Sequence, residues 1–375
     1  MPTPEIRALF PAAERYTYLN SAAVSPLPCM AVEAVRQQLA DVAENGSVNF
    51  FDWVETKNRA RKLIASMLGV ESDQVAFVRN TSDAFASIAN GLPWSAGDNI
   101  VSFAEEFPAN FYPWRRIRDK HAVDLRLASI REHGGFDHDE ILSLIDGNTR
   151  VVTVSAVQYA TGFKADLRRI GEAARAVDAL FCVDVIQALG AMPINLERDL
   201  VDAACGASHK WLCAPEGCGF LYLSDRARSR VEPTLTGWIS VEDPWDFASR
   251  EQDVKSNALA WESGTNASAL FYGLEQSLSV LIAAGLETIA NHIAGLTDQL
   301  CDSLPERYSV VSSRKTDERS HIVSITHRDG THPNKIVKEL QEKNVIVSPR
   351  GEFVRIAPHL YNNRQDIERF VAALP

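Results

Sequence analysis

The segment from Val201 to Leu221 places a lysine, Lys210, directly after a strand-like run that ends in small residues. Pro215 and Gly217 then turn the chain towards another apolar run. A lysine on a tight loop at a strand end is partly removed from water, which lowers the pKa of its amine and frees the lone pair for attack on an aldehyde. Lys210 is therefore a candidate for a covalent bond to a carbonyl cofactor, and the alternative is an ordinary surface lysine after a turn.

A second candidate, Asp184, ends the apolar run 180–183. An unpaired carboxylate at the end of a buried strand is costly, so we expect a cationic partner. A pyridinium nitrogen is one such partner, and an acid in that place makes pyridoxal phosphate (PLP) an electron sink. Gln187, three residues later, is placed to donate to the phenolic oxygen of the same cofactor. The alternative is an aspartate that caps a following helix.

Two hydroxyl side chains, Thr81 and Ser82, stand between a strand-like run and a helical pattern. Hydroxyls and free N–H groups at a helix start suit a phosphate. The alternative is a plain N-cap by Thr81 or Ser82. The chain has no GxGxxG and no GxxxxGK[ST] sequence, so a nucleotide-binding loop is not indicated.

These candidates lie among short apolar runs that do not alternate with polar residues, as is typical of strands covered on both faces. Helical patterns, among them Ala109–Lys120 and Leu167–Ala176, separate several of the runs. Such alternation predicts an α/β fold with a mostly parallel sheet, whose ligands bind at the carboxyl ends of the strands. The predicted strands are Val75–Val78, Asn99–Phe103, Val151–Ser155, Leu180–Val183, Ala203–Gly206 and Gly219–Leu223.

The composition changes after Pro244, where a polar, charged stretch precedes a long helical pattern. We predict a large domain over residues 1–256 and a smaller α+β domain over 257–375, in line with the length of 375 residues. Predicted elements of the smaller domain are a helix at Ala267–Ala284, strands at His321–Ile325, Val345–Val347 and Phe353–Ile356, and a final helix at Gln365–Leu374.

The net charge of −11 gives no support for a nucleic-acid or anionic-membrane partner, because such binding needs a basic surface. A basic run between Arg115 and Lys120 is interpreted as a solvated helix face. The six cysteines form no CxxC pair, and we predict no metal site. The N-terminus does not have the pattern of a signal peptide, and no apolar run approaches ~20 residues, so we expect a cytoplasmic protein.

Taken in order, these motifs resemble the class V aminotransferase and cysteine desulfurase family, within the aspartate-aminotransferase fold. The run 201–221 matches the lysine site of that family: small, small, His, Lys, then Gly-x-Gly-x-Leu. The resemblance extends from Tyr18 to the C-terminal helix. It implies a large domain with a mostly parallel sheet between helices, a smaller C-terminal domain, PLP held as a Schiff base on Lys210, and a homodimer with shared active sites.

The resemblance also assigns cofactor roles. It implies that Asp184 pairs with the pyridine nitrogen and that Gln187 contacts the phenolic oxygen. Phe107 takes the place where desulfurases stack a histidine on the ring, and the alternative is a phenylalanine of the core. The family often has a serine three positions before the lysine; this chain has Ala207 there and Ser208 one residue later, so Ser208 is included among the predicted cofactor-binding residues with its role left open. The implied phosphate ligands are Thr81, Ser82, His209 and, from the partner subunit, Thr265.

For the substrate, the resemblance assigns Arg355 to the α-carboxylate, with a surface arginine as the alternative. Asn20 and Ser21 belong to the stretch that lines the same pocket. Tyr159 stands where desulfurases carry asparagine. For Thr265, a helix N-cap is an alternative that is compatible with the phosphate role.

The reaction depends on residues around this pocket. The stretch 347–353, where desulfurases carry a nucleophilic cysteine, has none, so we do not expect the persulfide route. The stretches 207–215 and 18–23 resemble the branch of isopenicillin-N-epimerase-like proteins and ergothioneine-type C–S lyases. We expect transamination or C–S/Cβ elimination on an α-amino acid, and the alternative reaction is Cα epimerisation. A hypothesis of another class is a catalytically silent PLP-binding scaffold. Arg350, close to Arg355, hints at a second anionic group on the substrate.

Overall fold

Helices and strands alternate along most of the chain. The computed structural model describes residues 4–131 and 134–375. The strands are β1 Thr17–Tyr18, β2 Val75–Val78, β3 Asn99–Phe103, β4 Asp124–Ala128, β5 Thr149–Ser155, β6 Leu180–Asp184, β7 Ala203–Ala207, β8 Gly219–Leu223, β9 Tyr308–Val310, β10 Val323–His327, β11 Val345–Ile346, β12 Ser348–Arg350 and β13 Phe353–Ile356. The helices are α1 Pro4–Ala8, α2 Pro11–Arg15, α3 Cys29–Asn45, α4 Phe50–Leu68, α5 Thr81–Gly91, α6 Tyr112–His121, α7 His138–Ser143, α8 Leu167–Ala176, α9 Asp225–Arg228, α10 Ser268–Ala284, α11 Leu286–Ser303, α12 Pro333–Glu342 and α13 Arg364–Ala373.

A seven-stranded sheet in the order β2-β8-β7-β6-β5-β3-β4 forms the centre of the larger part. Strand β8 runs antiparallel to its neighbours β2 and β7, and the other pairs are parallel. Every residue of β3, β6, β7 and β8 is buried, which explains why their sequences are continuous apolar or small runs. The predicted α/β fold with a mostly parallel sheet is confirmed.

The predicted strands of this sheet are all present, three of them with the predicted bounds. The prediction missed β4, an edge strand whose first residue is exposed and whose next three are only partly buried, so that no apolar run marks it. The predicted helix 109–120 begins at Tyr112, because Pro108–Asn110 forms a separate 3₁₀ turn.

A four-stranded antiparallel sheet, β12-β13-β10-β9, forms the C-terminal part. Its apolar face shares a core with α11, α12 and α13, in which Leu300, Leu340 and Phe370 are fully buried. The predicted strand 345–347 is shorter, and it pairs with β1 rather than with this sheet. The prediction also missed α11, α12, β9 and β12. The division at residue 256 stays a prediction.

Helix α10 packs against α3 and α4 and contributes Phe271 and Leu278 to the core of the seven-stranded sheet. Helix α11 follows after Gly285 with a bend of 76°. Within the described part of the chain, no single helix is long and apolar enough to cross a membrane; α10 and α11 meet that test only when they are counted together.

The carboxyl ends of β5, β6 and β7 lie side by side, because Ser155 is in register with Asp184 and Asp184 with Cys205. Lys210 follows β7 by three residues. Strand β13 brings Arg355 to the same region, since the Arg355 guanidinium contacts the backbone at Tyr159, just beyond β5. Residues far apart in sequence therefore converge at one edge of the sheet.

Candidate active site

Lys210 lies on the loop after β7, and only 7% of its surface is exposed. Burial lowers the pKa of its amine to about 8; nearby Arg355 and Arg350 lower it as well, while Asp184 raises it. The Nζ atom lies 5.2 Å from the centroid of the Phe107 ring. The burial does not fit the alternative of a surface lysine, and an amine with this pKa is partly uncharged near neutral pH.

Asp184 ends β6 and is buried. Its Oδ1 accepts a hydrogen bond from the Ile186 N–H at 2.9 Å, and its Oδ2 has no partner among the described residues. Burial raises its pKa to about 6. No helix follows, so the predicted alternative of a helix cap is wrong. A protonated ring nitrogen would give the unpartnered oxygen the cationic partner that burial demands.

Gln187 is buried three residues after this carboxylate, and its amide has protein partners on both sides. Its Oε1 accepts from the Trp211 indole N–H at 2.8 Å, and its Nε2 donates to the Ala22 carbonyl at 3.0 Å. The backbone carbonyl of Gln187 accepts a hydrogen bond from His321 Nε2 at 2.5 Å. One N–H of Nε2 is left for the expected contact with a phenolic oxygen. Nothing in the sequence pointed to these additional partners.

The expected phosphate end lies at the start of α5. Asn80 caps this helix, because its side chain accepts from the Asp83 N–H at 3.0 Å. The alternative of a cap by Thr81 or Ser82 is therefore wrong. Thr81 is buried, and its hydroxyl has no partner among the described residues, whereas Ser82 is exposed. Thr81 thus offers a free buried hydroxyl beside the helix N–H groups.

The loop before Lys210 is held by its own hydrogen bonds. Ser208 is fully buried, and its hydroxyl donates to the Pro215 carbonyl while its N–H donates to the Cys218 carbonyl. The hydroxyl of Ser208 is therefore committed to the loop, and its predicted cofactor contact stays a prediction. The carbonyl of His209 accepts from the Ser25 N–H. Burial lowers the pKa of the His209 ring, and the charge on Lys210 lowers it further.

Phe107 is 37% exposed and packs edge-on against Tyr159, with 5.2 Å between the ring centroids. The preceding Glu106 is a site residue for which the sequence reasoning proposed no role. Its carboxylate accepts from the Ser155 N–H at 2.5 Å and from the Ser155 hydroxyl at 2.6 Å. Burial raises the pKa of Glu106 to about 7, and Asp184 raises it too. These hydrogen bonds hold the Phe107 segment against the end of β5. In the sequence, an acidic residue shortly after the end of β3 could have indicated that Glu106 belongs to the site.

Arg355 is 1% exposed, which rules out the surface alternative. Its Nη1 donates to the Tyr159 carbonyl at 2.7 Å, but its Nε and Nη2 have no partner among the described residues. Burial lowers its pKa to about 9, and the nearby charge of Arg350 contributes. A buried guanidinium with unused donors suits a bidentate carboxylate. Arg350 is partly buried, and burial lowers its pKa as well.

The two predicted pocket residues of the N-terminal stretch, Asn20 and Ser21, differ in whether their side chains are free to bind a ligand. Asn20 bridges to Ala357 beyond β13, and its Oδ1 is buried without a partner in the described part of the chain. Ser21 is fully buried, and its hydroxyl shares a 2.6 Å hydrogen bond with the Tyr361 hydroxyl. Asn20 thus keeps a free acceptor, whereas the Ser21 hydroxyl is used within the protein.

Thr265 is exposed on the segment before α10. Because α10 begins at Ser268 after Ala267, the predicted N-cap at Thr265 is wrong. The segment is anchored by Glu262, which is buried in contact with Lys57 and Arg61. The partner-subunit role of Thr265 stays a prediction.

These polar groups fit PLP. The unpartnered Asp184 Oδ2, Thr81 Oγ1 and Arg355 N–H groups are those that a pyridinium, a phosphate and a carboxylate would satisfy. When bound, PLP supplies an electron sink for charge that develops at the Cα of an amino acid. Within residues 4–131 and 134–375 there is no group of three or more His, Cys, Asp and Glu side chains that could hold a metal ion.

Known proteins resemble the chain along nearly its whole length. It is 29% identical to a probable cysteine desulfurase of Methanothermobacter thermautotrophicus over 98% of this chain and 96% of that protein. A kynureninase of Deinococcus radiodurans is 28% identical over 86% and 78% of the two chains. Among solved structures, a C-DES mutant with glycine covalently linked to the PLP cofactor aligns with a TM-score of 0.91 at 21% identity, over 99% and 98%. That likeness shows the same fold.

The sequence profile of the aminotransferase class-V family matches residues 17–370. This match covers the sheet, the lysine loop and β13, which carry the residues described above. The chain therefore belongs to the aminotransferase class-V family and is a PLP-dependent enzyme.

Proposed function

We propose that this enzyme removes a proton from the Cα of an α-amino acid and completes either a transamination or a C–S/Cβ elimination. The observation that carries the proposal is the buried Arg355 guanidinium, which has two unpartnered donor atoms in the described structure. A charge buried in this way is costly unless a ligand pairs with it. A substrate carboxylate is such a ligand, and it matches the planar fork of the side chain.

Lys210 supplies the base in this proposal. Its burial favours the neutral amine, which would hold the cofactor and would accept or return a proton at the substrate Cα. Asp184 would hold the ring nitrogen in its cationic form, and Phe107, whose ring centroid lies 5.2 Å from Lys210 Nζ, would cover the ring with an apolar face. Phe107 cannot move a proton, so proton transfer at Cα falls to Lys210.

The persulfide route of desulfurases has little support here, even though several relatives carry the name probable cysteine desulfurase. Residues 347–353 contain no cysteine. They form the hairpin of β12 and β13, which turns at Gly351 with a φ of +54°. A tight hairpin is a poor substitute for a mobile loop that carries a nucleophile.

A visible absorption spectrum with a panel of amino acids tests the proposal. We expect purified protein with PLP to have a yellow band that one class of amino acids alters. Transamination leaves the cofactor as its amine with one equivalent of keto acid, whereas elimination releases keto acid together with ammonia and the side-chain fragment. A band that no amino acid alters would contradict the proposal and favour the silent PLP-binding scaffold.

Cα epimerisation is the second candidate, because it needs a proton donor on the face of the cofactor opposite the lysine. Tyr159 is the available group: it packs against Phe107, and burial raises the pKa of its phenol, which keeps it protonated. Racemised amino acid without keto acid, in the same assay, would select this reaction over the first proposal.

We further propose a homodimer, on the strength of the family resemblance and an exposed aromatic cluster. This cluster consists of Phe51, Trp238, Trp245 and Phe247, which pack on one another although each is 40% or more exposed. Trp238 and Trp245 line a cavity together with Thr265. Large exposed apolar patches mark interfaces. Sedimentation should give a dimer for the wild-type protein and a weaker one for Trp245→Ser; a wild-type monomer would contradict this proposal.

A further inference from the structure

The residue after the catalytic lysine, Trp211, contacts the amide of Gln187. Trp211 is fully buried, and its indole N–H donates to Gln187 Oε1 at 2.8 Å. On the other side of the same amide, Nε2 donates to the Ala22 carbonyl at 3.0 Å. An indole N–H can only donate and a backbone carbonyl can only accept. Both contacts therefore require the same orientation of the amide.

The flipped amide is strongly disfavoured. It would place two donors against each other at Trp211 and two acceptors against each other at Ala22, in a region without exposure to water. The second N–H of Gln187 Nε2 is consequently fixed as well. If a substitution removes the Trp211 hydrogen bond, only the contact with the Ala22 carbonyl still opposes rotation of the amide, so its N–H is less firmly fixed towards the cofactor.

Two buried histidines hold this arrangement from the C-terminal part of the chain. His321 packs edge-on against the Trp211 ring, with 4.2 Å between centroids, and its Nε2 donates to the backbone carbonyl of Gln187. His359 Nε2 donates to the Trp211 carbonyl at 2.9 Å, while its Nδ1 accepts from the Leu360 N–H. Burial lowers the pKa of His321 to about 3 and of His359 to about 4, so both rings are neutral at ordinary pH.

We propose that Trp211 is a positioning residue for the cofactor: it fixes the Gln187 amide so that an N–H, and not the amide oxygen, faces the phenolic oxygen of PLP. This inference rests on the proposed cofactor role of Gln187. A donor at that place stabilises negative charge on the phenolic oxygen. The stabilisation matters most once the proton shared with the Lys210 nitrogen has been lost, so it lowers the pH at which the bound cofactor changes colour.

The experiment is a pH titration of the visible spectrum of the holoenzyme with Trp211→Phe. We expect the midpoint to rise by roughly 0.5–1 pH unit, the size of one lost hydrogen bond. Asp184, Arg350 and Arg355, the charged groups that act on Lys210, are unchanged in this variant. Trp94→Phe is the matched control, because it deletes an indole N–H that donates to a backbone carbonyl away from the lysine, and its midpoint should equal that of the wild type.

Since Phe is smaller than Trp, a second variant keeps the volume. Site-specific replacement of Trp211 by benzothienylalanine exchanges only the indole N–H for sulfur, and it should shift the midpoint in the same direction. Gln187→Met removes the donor itself and should raise the midpoint at least as far. In the Gln187→Met background, Trp211→Phe should add no further shift.

The outcomes separate this inference from the proposed function. An unchanged midpoint in both Trp211 variants, while Gln187→Met shifts it, overturns the positioning role alone. Additive shifts of the two changes overturn it too, since they mean that Trp211 acts independently of Gln187. A midpoint that Gln187→Met leaves unchanged removes the premise and overturns the inference. A wild-type protein without a visible band in the presence of PLP would instead contradict the proposed function.

Discussion

Arginine side chains lie at both ends of the seven-stranded sheet, but they differ in whether they are paired with carboxylates. At the amino ends of β5 and β6, a cavity of about 570 Å³ is lined by Arg150, Arg228, Arg230 and Asp178. Each of these arginines has a carboxylate partner, at 2.9, 2.6 and 2.7 Å respectively. At the carboxyl ends, Arg355 has two donor atoms without a partner in the described residues.

The difference indicates that unpaired buried charge, and not the presence of a cavity, distinguishes the candidate active site. Charges at the amino end lie near the surface and neutralise one another, so the protein needs no ligand there. Charges at the carboxyl end are buried and incompletely paired, which is costly for the apo protein and is relieved by a cofactor and a substrate. Function is therefore expected to depend strongly on the carboxyl end and hardly at all on the amino end.

The largest expected effect is that of Lys210→Ala at the carboxyl end. Loss of the base and of the covalent bond to PLP should lower kcat by about 10³-fold or more and abolish the visible band of the lysine-bound cofactor. Absorption spectra and single-turnover assays measure both. Lys120→Ala, on the exposed face of α6, is the control and should behave like the wild type. Retention of the band in Lys210→Ala would show that another group holds the cofactor.

Next comes the comparison of Arg355→Met with Arg228→Met. Loss of the buried partner of a carboxylate should lower kcat/KM of Arg355→Met by roughly 10²–10³-fold. Its free energy of unfolding should not fall, because a buried and partly unpaired charge is removed. Arg228→Met breaks a surface pair with Asp225 and should cost about 1 kcal/mol or less, with unchanged kinetics. Equal losses of kcat/KM in the two variants would contradict the assignment of function to the carboxyl end of the sheet alone.

A pH-dependent effect on stability follows from the lowered pKa of Lys210. In the folded apo protein this pKa is about 8, below the ordinary value of 10.5, so the unfolded chain binds more protons between these values. The stability of the wild type should therefore rise relative to Lys210→Met as pH increases from 8 to 10.5, by at most about 1.4 kcal/mol per pH unit. Urea unfolding of both apo proteins at pH 7 and pH 10 measures this change.

Lys315→Met, at a lysine whose side chain is 63% exposed, is unfolded beside Lys210→Met under the same conditions as the control. If the gap between the wild type and Lys210→Met were constant over this range, the amine of Lys210 would not have a lowered pKa in the folded protein.

The smallest effect is expected from Asp178→Asn at the amino end. Arg230 and Arg226 lower the pKa of Asp178 to about 2, below the ordinary 3.8, so its contribution to stability is present above pH 3.8 and is lost as pH falls towards 2. The carboxylate is 73% exposed, so we expect less than about 1 kcal/mol at pH 7 and unchanged kcat/KM. Unfolding at pH 7 and pH 3, beside a standard assay, measures both, and a marked loss of activity would place function at the amino end too.

The local sequence predicted much of the fold and the positions of two candidate cofactor-binding residues. Buried parallel strands are continuous apolar runs, so their positions were predictable, and Lys210 and Asp184 stand at or shortly after the ends of two of them. Segments without a strong local pattern were missed, such as β4, which is partly exposed at the edge of the sheet, and the elements α11, α12, β9 and β12 of the C-terminal part.

The sequence by itself determined the fold class and the family resemblance, and it singled out Lys210 as the candidate lysine, because each depends on short-range patterns of residues. Only the tertiary structure decided which polar groups are satisfied. Trp211 meets His359 across 148 residues, and Gln187 meets His321 across 134. Hydrogen bonding is a property of atoms brought together by folding, so the sequence could not reveal that the hydroxyls of Ser21 and Ser208 are committed while Asp184 and Arg355 keep unpartnered atoms.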